Sequence, residues 1–458
     1  MRRGIRSIAA AVAPLIGLTI LAGSPAHATP AFAPINHMVV LMQENRSFDH
    51  YLGQLHAYQV AQHGSSTVEA EPVTGNPNPA GGAAITPFHQ TSYCEVADLD
   101  HSWDGTHSEW NSGAMDGFTA ANVKPADPTG SRTMGYYNAT DLPYYYALYD
   151  TFAMSDTFFS SVLSQTFPNR FYLLAGTSFG HIANDFPFPP GESPVTGFAP
   201  DGGTIFNKLD DAGATWRVYF NEVPFSWLFG YVRNGTAGHV FPISQYYADA
   251  AAGLLPDVAF VDPTFIATVN VENDEHPPAN IQNGQKLVHD VLGALMASPN
   301  WPDSAAFLTY DEHGGYYDHL RPPTAVEPDA LGPNGHPTQK FDQLGIRVPF
   351  VVVSPFAKVR YNSTALPIAG GTAANPTYTT SAKIYSHTSI LKTIEDRFTI
   401  PAGQTYLTNR DASSNNLADL FDFDAPAFAT PPALPDATIN VAQAVDCEVN
   451  HEHVPTEL

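Results

Sequence analysis

Two pairs of oxygen-bearing side chains follow apolar runs of the sequence: Glu44 with Asn45 after "MVVLM", and Asp311 with Glu312 after "AAFLTY". If both runs are strands of one parallel sheet, their carboxyl ends meet at the edge where ligands bind in open α/β folds. Carboxylates brought together there repel one another, so we expect one divalent cation to hold them. Oxygen ligands favour Ca²⁺, Mg²⁺ or Mn²⁺, and nearby histidines leave Zn²⁺ or iron open.

The alternative for such residues is an ordinary structural role. Arg46 and Asp49 are best explained in this way, as groups that cap the helix after the first strand. Asp311 and Glu312 could instead pair with lysine or arginine, but the chain has only 20 Lys and Arg against 45 Asp and Glu. Because few of those basic residues lie near the two motifs in sequence, we favour the cation for Glu44 and Asp311.

A hydroxyl nucleophile is predicted in "SQTFPNRFYLLAG". Thr166 stands shortly before Pro168, which is favoured in the first turn of a helix, and Gly176 is a typical helix end. A hydroxyl at a helix N-terminus lies near free backbone N–H groups, which bind phosphate, and a bound metal ion favours its alkoxide. Threonine is also a common N-cap, and the two roles are compatible.

Histidines could protonate the leaving group or bind phosphate oxygen. The chain has 18 of them, so most are expected to be structural. His101 and His276 are the preferred catalytic candidates, because they stand in loops rich in Asp, Trp and Gly rather than in apolar runs. His107, His319 and His387 are weaker candidates.

The elements that must position these residues alternate along the chain. Five nearly all-apolar runs predict strands buried on both faces of a parallel sheet: Met38 to Met42, Trp216 to Phe220, Val258 to Val261, Ala305 to Tyr310 and Val348 to Val353. Helical spacing is clearest in "NGQKLVHDVLGALMASP" and "SHTSILKTIEDRF". This order predicts an α/β fold with a central, mostly parallel sheet sandwiched between helices.

The N-terminus predicts export to the periplasm or the cell exterior. Basic residues precede an apolar run from Ile8 to Ala22, and small residues suited to signal cleavage follow at 26–28. The run is too short to span a membrane, so we expect a signal peptide at 1–28 and no integral membrane segment afterwards. Residues 29–458 are predicted to form a single domain with loop insertions at 63–87 and 361–381 and a C-terminal wrapping tail.

Charge and cysteine content narrow the partners and the compartment. The formal net charge of −25 repels nucleic acid and anionic headgroups at long range, so no nucleic-acid partner is expected. Cys94 and Cys447 are the only two cysteines, and an oxidising compartment permits one disulfide between them. Two unpaired thiols are the alternative. The oligomeric state is left open.

Five motifs in order carry a family resemblance: "ENRSFDHYLG", "HSWDGTHSEWNSGAMDGF", "TFPNR", "DEHPPANIQNGQKLV" and "YDEHGGYYDH". Together they resemble the phosphoesterase family of non-specific phospholipases C and respiratory-burst-inhibiting acid phosphatases. The likeness extends from about residue 36 to residue 398. It implies the fold of the alkaline phosphatase and sulfatase superfamily.

The resemblance also implies roles for individual residues. Metal ligation falls on Glu44, Asn45, Asp311 and Glu312, and catalysis falls on Thr166 as nucleophile with His276 and His101. The predicted substrate-binding residues are Asn169, Arg170, His107 and His319. "DEHPP" departs from the pattern frequent in plant members, which leaves the roles of Asp274 and Glu275 open.

The sequence therefore predicts an exported, metal-dependent phosphoesterase that works through a phosphothreonine. Phospholipase C-type hydrolysis of phospholipid phosphodiesters is the first expectation, and an acid phosphatase for small phosphomonoesters is the alternative. A non-catalytic, metal-dependent anion-binding protein is the alternative from another class. The intact set of ligands with Thr166 argues against it, because a binding protein has no use for a nucleophile.

Overall fold

The computed structural model describes Met1 and residues 32–450 apart from 73, 96, 126, 187–195, 236–237, 267–269 and 366–382. Residues 2–28 of the predicted signal peptide and most of the predicted insertion at 361–381 lie outside the described residues. Within the described ranges, no helix is both long enough and apolar enough to cross a membrane.

Eleven strands occur in the described part of the chain. They are β1 His37–Gln43, β2 Phe88–His89, β3 Gly135–Tyr136, β4 Ala153–Met154, β5 Phe158–Phe159, β6 Trp216–Phe220, β7 Val240–Pro242, β8 Val258–Asp262, β9 Ser304–Tyr310, β10 Phe350–Val353 and β11 Tyr385–Ser386. Seven form one sheet in the order β4-β10-β9-β1-β8-β6-β7. Only β10 is antiparallel to its neighbours. Strands β5 and β11, and β2 and β3, form two small parallel pairs.

Helices connect and cover the strands. They are α1 Phe48–Leu52, α2 Leu55–His63, α3 Trp103–Trp110, α4 Phe118–Ala121, α5 Pro143–Thr151, α6 Thr166–Ala175, α7 Ile205–Ala212, α8 Gly230–Gly235, α9 Ile243–Ala252, α10 Ile281–Met296, α11 His387–Ile394, α12 Asn409–Ser413 and α13 Val441–Asn450. Strands β8, β9 and β10 are buried along their full length, as expected when helices cover both faces of a sheet. The predicted α/β fold is confirmed.

The predicted strands are all present, with small shifts at their ends. Strand β10 begins at Phe350 rather than Val348, because Pro349 has no N–H to donate to a ladder. The short edge strands β4 and β7 were not predicted. Pro242 ends β7, and proline in a sheet is tolerated at such an edge.

Strand register sets the position of the two predicted acidic motifs. In the parallel pairing of β1 with β9, Gln43 lies opposite Tyr310. The next residues, Glu44 and Asp311, therefore leave the sheet side by side. The Asp311 N–H donates to the Gln43 carbonyl over 3.1 Å, so the pairing continues one residue past the strands.

A disulfide joins Cys94 to Cys447, whose Cα atoms are 5.6 Å apart. This confirms the bonded alternative of the sequence analysis. Helix α13 is also held by Gln443, whose side-chain amide donates to the Thr91 carbonyl over 3.0 Å. The end of the described chain is thereby fastened to the loop that precedes Asp98 and His101.

Candidate active site

The two strand ends place Glu44 and Asn45 next to Asp311 and Glu312. The carboxylates of Glu44, Asp311 and Glu312 do not converge to within 4.8 Å of one another, as the ligand atoms of Asp98, His101 and His276 do. The Asn45 N–H donates to Asp311 Oδ1 over 3.2 Å, and Glu44, Asn45, Asp311 and Glu312 are all buried. Gly314 is part of the reason, since a Cβ there would collide with the Asn45 carbonyl oxygen. The glycine lets the two loops approach closely.

Thr166 is the first residue of α6, and its hydroxyl lies in the same cluster. Its Oγ1 donates to Glu44 Oε2 over 3.2 Å, and the side chain is buried. Gln165 is the N-cap, so capping does not occupy the Thr166 hydroxyl. Gly176, with a φ of +72°, ends the helix as predicted.

Several buried polar atoms of this cluster lack a partner, which fits a cation. Both amide atoms of Asn45, and Oε1 of Glu312, make no hydrogen bond within the described part of the chain. A buried polar atom without a partner is costly. Burial, followed by the Glu44 charge, raises the pKa of Asp311 well above its usual range. A positive ion would lower that pKa and satisfy the oxygen atoms.

Arg170 supplies part of the neutralising charge. Its guanidinium lies 2.6 Å from Glu44 Oε1 and 3.3 Å from Asp311 Oδ2. It also donates to the Met42 carbonyl over 3.0 Å and lies over the Phe225 and Phe265 rings. The alternative of pairing with arginine is therefore present at this site. In this arrangement Arg170 holds the carboxylates, while the contact with substrate predicted for it stays a prediction.

His101 and His276 lie together on either side of Asp98. Asp98 Oδ2 is 3.5 Å from His101 Nδ1 and 3.9 Å from His276 Nε2. The His101 Nε2 is 4.0 Å from Glu312 Oε1, which links this group to the predicted ligands. Burial disfavours the charged imidazole, but Glu312 and then Asp98 outweigh it and raise the pKa of His101 to about 10. These three residues also have the spacing of a metal-binding group.

The other three predicted substrate-binding residues make their contacts elsewhere. The Asn169 amide bonds to backbone groups of residues 161–165 and shapes the turn before α6. His107 Nδ1 donates to the Trp103 carbonyl over 2.7 Å, and the ring packs on that of Trp103. His319 lies 2.7 Å from Asp49 and 3.2 Å from Glu69. The structure does not bring these side chains into contact with Thr166, and their substrate-binding role stays a prediction.

Known proteins resemble the chain over most of its length. The sequence profile of the Phosphoesterase family matches residues 35–401. Phospholipase C B of Mycobacterium tuberculosis is 31% identical over an alignment of 476 positions, which covers 91% of this chain and 82% of that protein. Non-specific phospholipase C6 of Arabidopsis thaliana is 31% identical over 424 residues, covering 88% and 75%. This chain belongs to the Phosphoesterase family.

Membership confirms the resemblance seen in the motifs and makes the protein an enzyme, a hydrolase acting on ester bonds. A solved structure of an alkaline phosphatase superfamily protein from Vibrio parahaemolyticus aligns with a TM-score of 0.32 and 9% identity, covering 80% of this chain and 78% of that one. A likeness this low adds no argument, and the fold of this phosphoesterase rests on its own sheet.

The site of this phosphoesterase contains acidic residues that sequence reasoning missed. Glu109 of α3 lies 2.6 Å from His313 Nε2, and His313 Nδ1 lies 3.5 Å from Glu312 Oε2. Burial disfavours a charged His313, but Glu109 outweighs it and raises its pKa to about 9. The chain Glu109, His313, Glu312 orients a predicted ligand. The available signal was Glu109 itself, a carboxylate in a motif already singled out.

Glu272 and Asp274 add further buried acid beside Glu44. Neither carboxylate oxygen of Glu272 has a hydrogen-bond partner within the described ranges. Burial, then Asp274, raises the pKa of Glu272 to about 11. The Asp274 carbonyl accepts from the Glu44 N–H over 2.8 Å, which fixes the loop before His276 against the end of β1.

An apolar cleft of about 180 Å³ opens beside Thr166 and Glu44. Its wall is built mainly from apolar side chains of four chain segments, together with Arg233. These side chains are Phe167, Phe186, Val223, Pro224, Phe225, Trp227, Leu228, Phe265 and Ile266. No pattern in the sequence predicts this cleft. A hydroxyl in a buried acidic cluster thus faces a space suited to the apolar part of a substrate.

Proposed function

We propose that this phosphoesterase hydrolyses phospholipid phosphodiesters as a phospholipase C, with a phosphothreonine at Thr166 as intermediate. The observation that carries the proposal is the Thr166 hydroxyl, bonded to Glu44 inside the cluster formed by the ends of β1 and β9. The phospholipases C of Mycobacterium tuberculosis and Arabidopsis thaliana support the choice of substrate.

Glu44, Asn45, Asp311 and Glu312 would hold one divalent cation, next to the Thr166 oxygen. Their oxygen atoms match the preference of Ca²⁺, Mg²⁺ or Mn²⁺, and the nearby His101 suits Zn²⁺. When bound, such an ion stabilises negative charge on the nucleophile and on the phosphoryl oxygens. The unpartnered side-chain oxygen of Asn45 supports this assignment.

The reaction then runs in two displacements. Thr166 Oγ1 gives up its proton to Glu44 or solvent and bonds to phosphorus, while the bond from phosphorus to the glycerol oxygen breaks. His101 or His276 donates a proton to the departing diacylglycerol oxygen. A water molecule next attacks phosphorus and gives a proton to that histidine, while the bond to Oγ1 breaks. Thr166 Oγ1 takes back a proton from Glu44 or solvent, and the phosphorylated headgroup leaves. Positioning and charge neutralisation supply most of the rate in phosphoryl transfer.

The test compares purified protein on p-nitrophenyl phosphorylcholine and on p-nitrophenyl phosphate, after chelation and after metal is restored. We expect metal-dependent turnover with preference for the choline diester. Preference for the monoester would make the protein a phosphatase. Thr166→Val should lose at least ~10³-fold in kcat, as loss of a nucleophile does, whereas Thr166→Ser keeps the hydroxyl and measurable turnover. Full activity of Thr166→Val would exclude the intermediate.

Export is also part of the proposal, and so is the single domain at residues 29–458. The basic and apolar pattern of residues 1–28 supports export. The Cys94–Cys447 disulfide supports it as well, because a disulfide forms in an oxidising compartment. Expression of the full chain in a bacterium, followed by N-terminal sequencing of periplasmic and medium fractions, tests it. A mature N-terminus near Thr29 is expected, and full-length protein confined to the cytoplasm would contradict export.

A further inference from the structure

The mouth of the cleft carries exposed apolar side chains. Phe186, Val223, Trp227 and Ile266 are 45%, 44%, 42% and 44% exposed, and all four line the cleft. We call these four residues the rim. Single exposed apolar residues are common, but a group around an opening marks an interaction site.

The rim is held by hydrogen bonds of its backbone and its neighbours. The Phe225 N–H donates to Asp262 Oδ2 over 2.9 Å, which anchors the 3₁₀ turn Phe225–Leu228 to the end of β8. The Ile266 N–H donates to Glu222 Oε2 over 2.9 Å, which joins the segments after β6 and β8. Arg233 Nε donates to the Trp227 carbonyl over 2.8 Å. Trp227 and Ile266 therefore present their side chains to solvent from anchored backbone.

The rim and the catalytic residue belong to one continuous surface. Phe167, next to Thr166 in α6, packs edge-on against Phe225 with ring centres 5.2 Å apart. The cleft holds about 180 Å³, less than the roughly 300–1,000 Å³ of sites that enclose a drug-sized ligand. A whole two-chain lipid does not fit. Only the part next to phosphorus enters, and the remainder must stay in contact with the rim.

The net charge of the protein favours zwitterionic over anionic lipid surfaces. The formal net charge of −25 repels an anionic surface at long range. A zwitterionic phospholipid has no net charge, so apolar contact can act without that opposition. Trp227 at the mouth is the residue type most suited to the boundary between water and lipid.

We propose that the cleft receives the acylglycerol part of a zwitterionic phospholipid and that the rim enters the lipid surface while the phosphate reaches Thr166. The proposal rests on the proposed phospholipase C activity and adds the docking surface that brings the enzyme to aggregated substrate. It assigns the four rim residues to lipid contact, apart from the reaction itself.

The experiment uses the full mature protein and the double variant Val223→Ser/Ile266→Ser. Co-sedimentation with phosphatidylcholine vesicles in the presence of chelator measures docking without turnover, and release of phosphocholine from the vesicles measures catalysis. We expect the double variant to lose about tenfold in vesicle binding. Its ratio of vesicle turnover to p-nitrophenyl phosphorylcholine turnover should fall by a similar factor.

Leu254→Ser is the matched control, because Leu254 is 63% exposed and precedes β8 at the opposite edge of the sheet. It should bind and hydrolyse vesicles as wild type does. Equal vesicle binding by the wild type and the double variant would overturn the docking surface, and so would tighter binding to phosphatidylglycerol vesicles than to phosphatidylcholine vesicles.

The two proposals fail in different ways. If wild type turns over neither substrate with any divalent metal, the phospholipase C activity is refuted, while vesicle binding still reports on the rim. If wild type hydrolyses phosphatidylcholine but the double variant binds vesicles normally and keeps the same turnover ratio, the activity holds and the docking surface is refuted.

Discussion

The carboxyl edge of the sheet is divided into two chemically different halves. Strands β1 and β9 lead into buried carboxylates and an amide, whereas β6 and β8 lead into the aromatic and aliphatic residues of the cleft. Arg170 lies on the boundary. Its charge pairs with Glu44 and Asp311, and its guanidinium carbon lies 5.4 Å from the Phe225 ring centre and 5.0 Å from that of Phe265.

Each half is incomplete in its own way. The polar half keeps buried atoms without partners, such as the Asn45 amide, and the apolar half exposes side chains such as Trp227 to water. In the proposed function, a cation with a phosphate group would complete the first, and acylglycerol would complete the second. A phospholipid offers both parts in one molecule, so neighbouring strand ends would separate reaction from recognition.

The largest expected effect is on the polar half. Glu312→Gln removes a predicted ligand, so metal affinity and metal-dependent kcat should fall by more than about 100-fold, the upper range for loss of a residue that merely supports a ligand. Isothermal titration of metal-free protein with Ca²⁺, Mg²⁺, Mn²⁺ and Zn²⁺ measures the affinity. Glu327→Gln, an exposed partner of Lys340, is the control. Unchanged metal affinity in Glu312→Gln would place the cation elsewhere.

His101→Gln tests whether the imidazole acts on the leaving group. A general acid contributes about 10²–10⁴-fold, so we expect at least ~10²-fold lower turnover of phosphatidylcholine. The loss with p-nitrophenyl phosphorylcholine should be much smaller, because p-nitrophenolate leaves without a proton. His63→Gln, a surface histidine paired with Asp150, controls for histidine loss. Equal loss on both substrates together with weaker metal binding would make His101 a ligand instead.

Arg170→Met removes the charge that pairs with Glu44 and Asp311 at the boundary between the two halves. Removing one partner of a buried ion pair costs about 3–5 kcal/mol, so the free energy of unfolding should fall by an amount in that range. Added divalent metal should restore part of it, because the ion replaces the lost positive charge beside Glu44 and Asp311. Denaturant unfolding with and without metal measures both effects. Stability equal to that of wild type would show that Arg170 does not hold the carboxylates.

Leu228→Ala, inside the cleft, should have the smallest effect. It removes apolar wall without touching the polar half, so we expect about three- to tenfold higher KM for phosphatidylcholine, and a smaller change for p-nitrophenyl phosphorylcholine. Leu331→Ala, at an exposed position, is the control. A fall in kcat larger than the rise in KM would show that the two halves do not act separately.

The polar half was predictable because its signal is local. Acidic residues close after apolar runs mark strand ends, and the parallel register then puts Glu44 beside Asp311. Asp98 and Glu109 were missed because their pairing with His276 and His313 is made by tertiary packing across long sequence separations. The periodicity of apolar residues along the sequence does not indicate such contacts.

The apolar half was not predictable from the sequence for a related reason. Its residues come from α6 and from separate segments after α6, β6 and β8, which are far apart in the sequence. His319 shows the opposite case, a candidate in a recognised motif whose contacts lie elsewhere. Gly314 and Gly315 have φ values of +64° and +75°, and after this turn His319 packs against Asp49.

The most direct measurement is to trap the intermediate. Wild-type protein with its metal restored is mixed with a phosphorylcholine ester, quenched in acid within milliseconds, digested and analysed by mass spectrometry. We expect phosphorylcholine on the peptide that contains Thr166, and no such adduct in Thr166→Val. An adduct on another residue, or rapid product formation by wild type in which Thr166 is never modified at any quench time, would exclude Thr166 as the nucleophile.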